Sequence, residues 1–302
     1  MFDQLDGDTL YAELIMLRTN DARAFILVEG PSDSAVLDRF IDTERFTTIP
    51  ALGKERALDA LATTHSSARL TGVYAILDQD WVNILEDPLD HDTVVYTDFY
   101  DLDACIFFTA GVYEAIAASH CTDLSFKHGT PGCTHQDIAD ACVDLALPVG
   151  MLRYLSRRDG LGLNLRDFPL GQVTRNGADA VDLTQLVTLA CQRADKDPDH
   201  HAALPDLLRQ EIAQVGDAAR YCSGHDLAKA FSLLAKRQWA SKAGHDTIER
   251  AARAAYPHDA FRVTRIGQSY THWAAASVPC QPAAPAAERT CLLYTSPSPR
   301  DS

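Results

Sequence analysis

Residues Ala24–Asp33 read AFILVEGPSD, and residues Val73–Asp80 read VYAILDQD. Each stretch opens as an unbroken apolar run of five residues. Such a run suits a strand buried on both faces of a parallel sheet. Each then stops at an acid: Glu29 after the first run, with Asp33 four residues on, and Asp78 and Asp80 after the second. The sequence thus predicts two buried strands whose C-terminal ends carry carboxylates.

The surrounding sequence repeats the theme. Thr47–Ala51 and Thr93–Tyr96 read as further short strands. Helical periodicity fills the gaps. It is expected at Thr9–Leu17, then in a helix capped by Ser32 or Asp33 that turns Val36, Leu37, Phe40 and Ile41 inward. Lys54–Thr64 follows with Ala57, Leu58, Leu61 and Ala62 inward, and a longer helix runs from about Asp101 to Ala118. Strands alternating with helices predict an α/β fold, a parallel sheet with crossover helices. From about His135 the pattern is mainly helical: Ile138–Leu147, Gly150–Ser156, Asp182–Ala194, Leu204–Val215, Asp226–Ala240 and Asp246–Ala255, with a short extended piece at Leu163–Phe168. The expected layout is an α/β unit over residues 1–120, a mainly helical unit over 121–275 and a Pro/Ala-rich linker or loop over 276–290.

Residues 291–302, CLLYTSPSPRDS, read differently. With suitable codons they back-translate into the adapter of transposase-made sequencing libraries. They are expected to be an artefact rather than native sequence and are set aside from fold reasoning.

The bulk numbers bound the function. A chain of 302 residues with 46% hydrophobic content supports one or two packed domains of ordinary globular composition. No apolar run approaches the ~20 residues of a membrane span. The acidic opening MFDQLDGDTLYAEL lacks the layout of a signal peptide, so a cytoplasmic location is expected. The eight cysteines contain no C-x-x-C pair, and reduced thiols are expected. A net charge of −15 argues against a protein that coats nucleic acid through a broad basic surface. It leaves room for an enzyme that meets nucleic acid through bound cations or a local basic patch.

Glu29, Asp33, Asp78 and Asp80 form the candidate site. Ligands of open α/β sheets bind at the C-terminal strand edge. Spacing of two in Asp-Gln-Asp lets both acids reach one ion, and hard oxygen donors select Mg²⁺ or Mn²⁺. Clustered carboxylates repel one another, and a cation relieves that repulsion. For each acid taken singly, capping a helix or facing solvent is the ordinary alternative.

These stretches resemble the two signature segments of Toprim domains: FILVEGPSDSAVLDRFI, residues 25–41, and GVYAILDQD, residues 72–80. The Glu-Gly-x-x-Asp form is similar to the OLD-like nuclease branch. Gly53-Lys54, VVYTDFYDLDACI, PVGMLRYLS and YCSGHDLAKAF resemble the domain-of-unknown-function 4435 family. That family includes the Toprim subunit of PARIS-type anti-phage systems, which works beside an ABC-type ATPase. The resemblance covers most of residues 10–275 and is more specific in the first part. It implies a Toprim-like parallel sheet flanked by helices and metal-dependent phosphodiester hydrolysis on DNA or RNA, tRNA included. The implied partners are a nucleic-acid substrate and a separate ABC/AAA-type ATPase, without a membrane; a homo-oligomer stays open.

Carried over by position, Glu29 matches the Toprim glutamate, a metal ligand and general-base candidate. Asp33 matches the second acid of the OLD-like form, and Asp78 and Asp80 match the D-x-D ligands. Asp103 stands where the family more usually has Glu, and Asp98 and Asp101 read first as capping or solvent-facing. Hydrolysis calls for a basic group at the transition state. Lys54 is the first candidate and Lys229 the second.

Other signals are weaker. Thr48 occupies the position of the phosphate-cradling glycine, so Gly53-Lys54 is not a P-loop. His120, Cys121, His128, Cys133 and His135 fit no standard zinc spacing. His225 begins a helix with Ser223 as its cap. Arg153, Arg157 and Arg158 form a small basic group that suits either phosphates or a solvated helix end. Two further readings compete: a haloacid-dehalogenase-like phosphatase with Asp78 as nucleophile, and a non-catalytic scaffold or regulatory subunit.

Overall fold

The computed structural model describes residues 7–67, 69–89, 91–121, 135–174 and 180–277. The strands are β1 Ala24–Val28, β2 Phe46–Pro50, β3 Val73–Leu77 and β4 Val94–Tyr96. They form one all-parallel sheet in the order β2-β1-β3-β4. All five residues of β1 and of β3 are buried, which is why these runs carry no polar alternation.

The chain leaves β1 outward to β2 and then crosses back to β3. Strand order therefore reverses between β1 and β3, where Phe25 pairs with Val73 and Leu27 with Ala75. Such a switch point opens a crevice at the C-terminal strand ends. Glu29 and Asp78 are the first residues past those two ends.

Side chains alternate across the sheet, so the two faces have separate cores. Phe25, Leu27, Ala75 and Leu77 face helices α1 Gly7–Arg18 and α3 Lys54–Ser66, through Leu10, Leu14, Ala57, Ala60 and Leu61. Ile26, Val28, Tyr74 and Ile76 face α2 Pro31–Leu37, α4 Leu102–Phe107 and α5 Val112–His120. Each Val, Leu, Ile or Phe among them contributes about 1.5–3 kcal/mol on full burial.

The mainly helical part follows: α6 His135–Arg158, α7 Leu170–Val173, α8 Leu183–Arg193, α9 Leu204–Gln214, α10 Gly224–Gln238, α11 His245–Ala255, α12 His258–Val263 and α13 Arg265–Ser277. The second core continues from the sheet through these helices without a break. Helix α13 returns to the sheet: Trp273 stacks on Tyr74 at 4.6 Å, and the Tyr74 hydroxyl donates to Ser269 Oγ at 2.7 Å.

Several local expectations change. The helix after β1 ends at Leu37, and Phe40 and Ile41 pack from the following turn. Neither Ser32 nor Asp33 is its N-cap. Gly30 is, with Pro31 at the first helical position, and Asp33 Oδ2 accepts from the Gly30 N–H at 2.8 Å. On α3, Ala60 and Thr64 are buried and Ala62 is exposed, so its inward face is rotated. The long helix from Asp101 is two helices, α4 and α5, broken before Gly111 at a φ of 87° that side-chain-bearing residues resist. Conversely α6 runs through Pro148. Proline inside a helix costs about 3 kcal/mol; here Leu145, Ala146, Val149 and Leu152 bury the helix on both sides of it. No strand forms at Leu163–Phe168. His128 and Cys133 of the zinc candidates, and residues 278–302 with the tail, lie outside the described residues. Among the described residues, no helix is long and apolar enough to cross a membrane.

Candidate metal centre

The crevice between β1 and β3 gathers the acids through backbone connections. Glu29 Oε1 accepts from the Asp78 N–H at 2.9 Å, which joins the two strand ends. Asp78 Oδ1 in turn accepts from the Leu102 N–H at 3.0 Å, at the start of α4. Asp80 holds a left-handed φ of 40°, a backbone state that Asp tolerates better than most residues. Its N–H donates to the Tyr100 carbonyl at 2.8 Å, so the loop after β3 is pinned to the loop after β4. Local strain of this kind concentrates at functional sites.

Lys54 is the cation of the crevice. Its ammonium contacts Asp80 and lies 3.9 Å from Glu29 Oε1, with only 14% of the side chain exposed. The first residue of α3 is thereby aimed at the edge. The Gly53 N–H donates to the Glu29 carbonyl at 3.1 Å and sets that aim.

One ammonium does not neutralise this group. Burial pushes the Glu29 carboxyl up to about 7, and the Asp80 charge pushes it the same way. Asp78 rises well above the usual carboxylate range, through burial and then Glu29 and Asp101. Asp33 is raised by burial and by Asp103, while its cap bond to Gly30 works against the rise.

Asp101 belongs to the same cluster. It caps α4, accepting from the Ala104 N–H at 2.6 Å, and also accepts from the Gly224 N–H at 3.0 Å. The sequence reading of Asp101 as a cap holds, but the cap is buried and its carboxyl is pushed up to about 8 by burial and Asp103. Gly224 is required here: a Cβ would lie 2.2 Å from Asp103 Cβ. Asp103 itself pairs with Arg253, whose Nε donates to Oδ1 at 2.7 Å. It is an ion-pair partner. Asp98 accepts from the Arg265 N–H at 3.1 Å at the start of α13.

Of the sequence-predicted residues, Glu29, Asp78, Asp80 and Lys54 meet at the edge, with Asp33 beside them on the Gly30 N–H. Lys229 does not join them. Its ammonium donates to the Phe168 carbonyl at 3.0 Å, beside Asp226, Asp167 and Glu249. Two groups escaped the sequence reading. Gln79 is buried between the two acids of D-Q-D, its N–H donating to Thr97 Oγ1 at 2.8 Å. Arg265 reaches Gln79 and the Thr97 carbonyl from α13. No motif marks either, because their partners are distant in sequence.

The donor set suits a hard divalent cation, since it consists of crowded carboxylates with a charge deficit. The side chains are not arranged as a finished ligand sphere. Among the described residues, no three His, Cys, Asp or Glu side chains converge closely enough to hold a metal ion. Lys54 stands where a cation between Glu29 and Asp80 would stand.

No protein-family model matches the chain, and no curated protein matches its sequence.

Proposed function

We propose that the chain is a divalent-metal-dependent nuclease of the Toprim type, within the domain-of-unknown-function 4435 family. The observation that supports it most is the pairing of Glu29 and Asp78 at the switch point, with Asp80 and Lys54 beside them. Acids crowded without matching cations are costly to fold and are kept for ligand chemistry. Glu29, Asp78 and Asp80 would hold Mg²⁺ or Mn²⁺, with Asp33 turning from its cap to join them. A bound ion supplies Lewis-acid stabilisation of a phosphoryl oxygen and a more acidic water. Lys54 then swings from Asp80 to the scissile phosphate, where its charge opposes that of the transition state. Glu29 takes up the proton of the attacking water. Lys229 has no part in this scheme.

The substrate is DNA or RNA, tRNA included. By the family resemblance the protein works in the cytoplasm as the effector of an anti-phage system, beside a separate ATPase.

A second reading is a non-catalytic scaffold. What favours it is that Glu29, Asp33, Asp78 and Asp101 already serve backbone N–H groups. Incubating the full chain with labelled DNA and RNA in Mn²⁺ separates the two. The nuclease reading expects cleavage that stops in chelator and in Glu29→Gln. Cleavage that survives both would contradict it.

A further inference from the structure

An open cleft of about 780 Å³ lies beside the acidic edge. Its size falls in the range of small-ligand clefts, about 300–1,000 Å³. The wall shared with the edge comes from Trp81, which follows Asp80, and Tyr100, which precedes Asp101. Their rings meet edge to face, with centroids 5.1 Å apart. The opposite wall comes from the C-terminal end of α6 and the loop after it, with Arg153, Arg157 and Arg166.

Two observations say what the cleft takes. The first is charge. Three arginines line one cleft in a chain whose net charge is −15. The acids on its lining are Asp167 and Asp226. Asp226 is already paired with Arg153 at 2.7 Å.

The second is an unspent donor. Arg153 uses Nη2 on Asp226, while its buried Nη1 makes no hydrogen bond among the described residues. Its guanidinium carbon stands 5.8 Å from the centroid of the Tyr100 ring. A buried guanidinium with one idle nitrogen, held against an aromatic wall, is built to receive an anion. Arg157 and Arg166 are exposed at the rim, Arg157 with one nitrogen on Glu86 at 3.1 Å in a solvent-exposed pair that a phosphate can displace, and there they can follow a charged backbone.

We infer that this cleft seats a short single-stranded segment of nucleic acid, flanking the phosphate presented to the acidic edge. Arg153 binds one backbone phosphate inside, Arg157 and Arg166 bind the next ones outward, and Tyr100 packs against an unpaired base. Aromatic walls with cationic rims are the general means of holding single strands without sequence readout. The inference rests on the nuclease reading for its direction, from cleft to edge.

The test is binding rather than cleavage, so it stands apart from the metal. Fluorescence anisotropy would follow labelled single-stranded DNA and RNA oligonucleotides with the full chain, in chelator, at low salt. Arg157→Glu/Arg166→Glu is compared with Lys236→Glu/Arg237→Glu, an equal charge change on exposed residues of α10 outside the cleft. The cleft variant should lose about tenfold or more in affinity, and the control should stay near wild type. The slope of log K against log salt should become shallower by about 1.4, at about 0.7 for each single-strand phosphate that is no longer neutralised. Equal losses in both variants would reduce the effect to bulk charge and overturn the inference. So would a folded wild type that binds neither oligonucleotide, even if it still binds Mn²⁺. A duplex bound more tightly than the single strand would overturn the stated occupant.

Discussion

Charge is handled in opposite ways at the sheet edge and in the helical half. Away from that edge, several buried or half-buried acids of the helices meet an arginine. Asp226 has Arg153 at 2.7 Å and Ser223 as a cap, Asp103 has Arg253, and Glu211 has Arg158 at 2.7 Å. At the sheet edge Glu29 and Asp80 share Lys54, and among the described residues Asp78 and Asp101 accept hydrogen bonds from backbone N–H groups. The matched pairs hold helices together across long sequence distances. The unmatched edge gains little stability from its charges, which is what the proposed metal site would require. Stability and chemistry are thus divided between two regions that share one continuous core.

The comparison breaks or holds at its pairs. Arg153→Leu should cost about 3–5 kcal/mol, because it leaves the Asp226 carboxylate buried and without its cation. Urea denaturation measures this, and a loss below about 1 kcal/mol would mean that the helical pairs are not what secures their helices.

At the edge the sign reverses. Asp78→Asn keeps an oxygen for the Leu102 N–H and removes one repelling charge. In chelator at neutral pH it should raise stability by on the order of 1–2 kcal/mol. A destabilised variant would show that the edge is already balanced.

The crowding at the edge also sets a pH dependence. The folded-state pKa of Glu29 is about 7 against an ordinary 4.5, so the folded protein holds that proton more tightly than the unfolded chain. The resulting stability is present below about 4.5 and is lost as the pH rises through about 7. Between about pH 5 and about pH 8, metal-free wild type should lose about 2–3 kcal/mol relative to Glu29→Gln. Parallel pH profiles for the two proteins would remove Glu29 from the crowded group.

These two regions were also unequally legible in sequence. The edge is local information. An apolar run fixes a buried strand, the next residue past it is an acid, and adjacent parallel strands place Glu29 and Asp78 side by side. Lys54 was accessible for the same reason, since it opens a helix directly after β2. The helical half depends on partners far apart in the chain. Asp103 finds Arg253, and Asp101 finds the N–H of Gly224. Neither pairing has a signature in spacing. Lys229 stands three residues after Asp226 on one helix, but that spacing does not say that its ammonium meets the Phe168 carbonyl. Two helix boundaries depart from what helical periodicity suggests. Helix α6 continues through Pro148 over a packed interior, and the chain breaks before Gly111 within what reads as one helical run. The arginines of the cleft were visible as a basic group, but their arrangement was not. Arg158 turns to Asp159 and Glu211, whereas Arg153 and Arg157 line the cavity with Arg166 from the next loop.

On the reading proposed above, the unmatched edge takes a divalent cation. Calorimetric titration of Mn²⁺ into the full chain tests it most directly, with an Asp78→Asn/Asp80→Asn double variant beside the wild type. The account predicts saturable binding by the wild type that disappears in the variant while the fold persists. No binding by the folded wild type, or equal binding by both proteins, would contradict it.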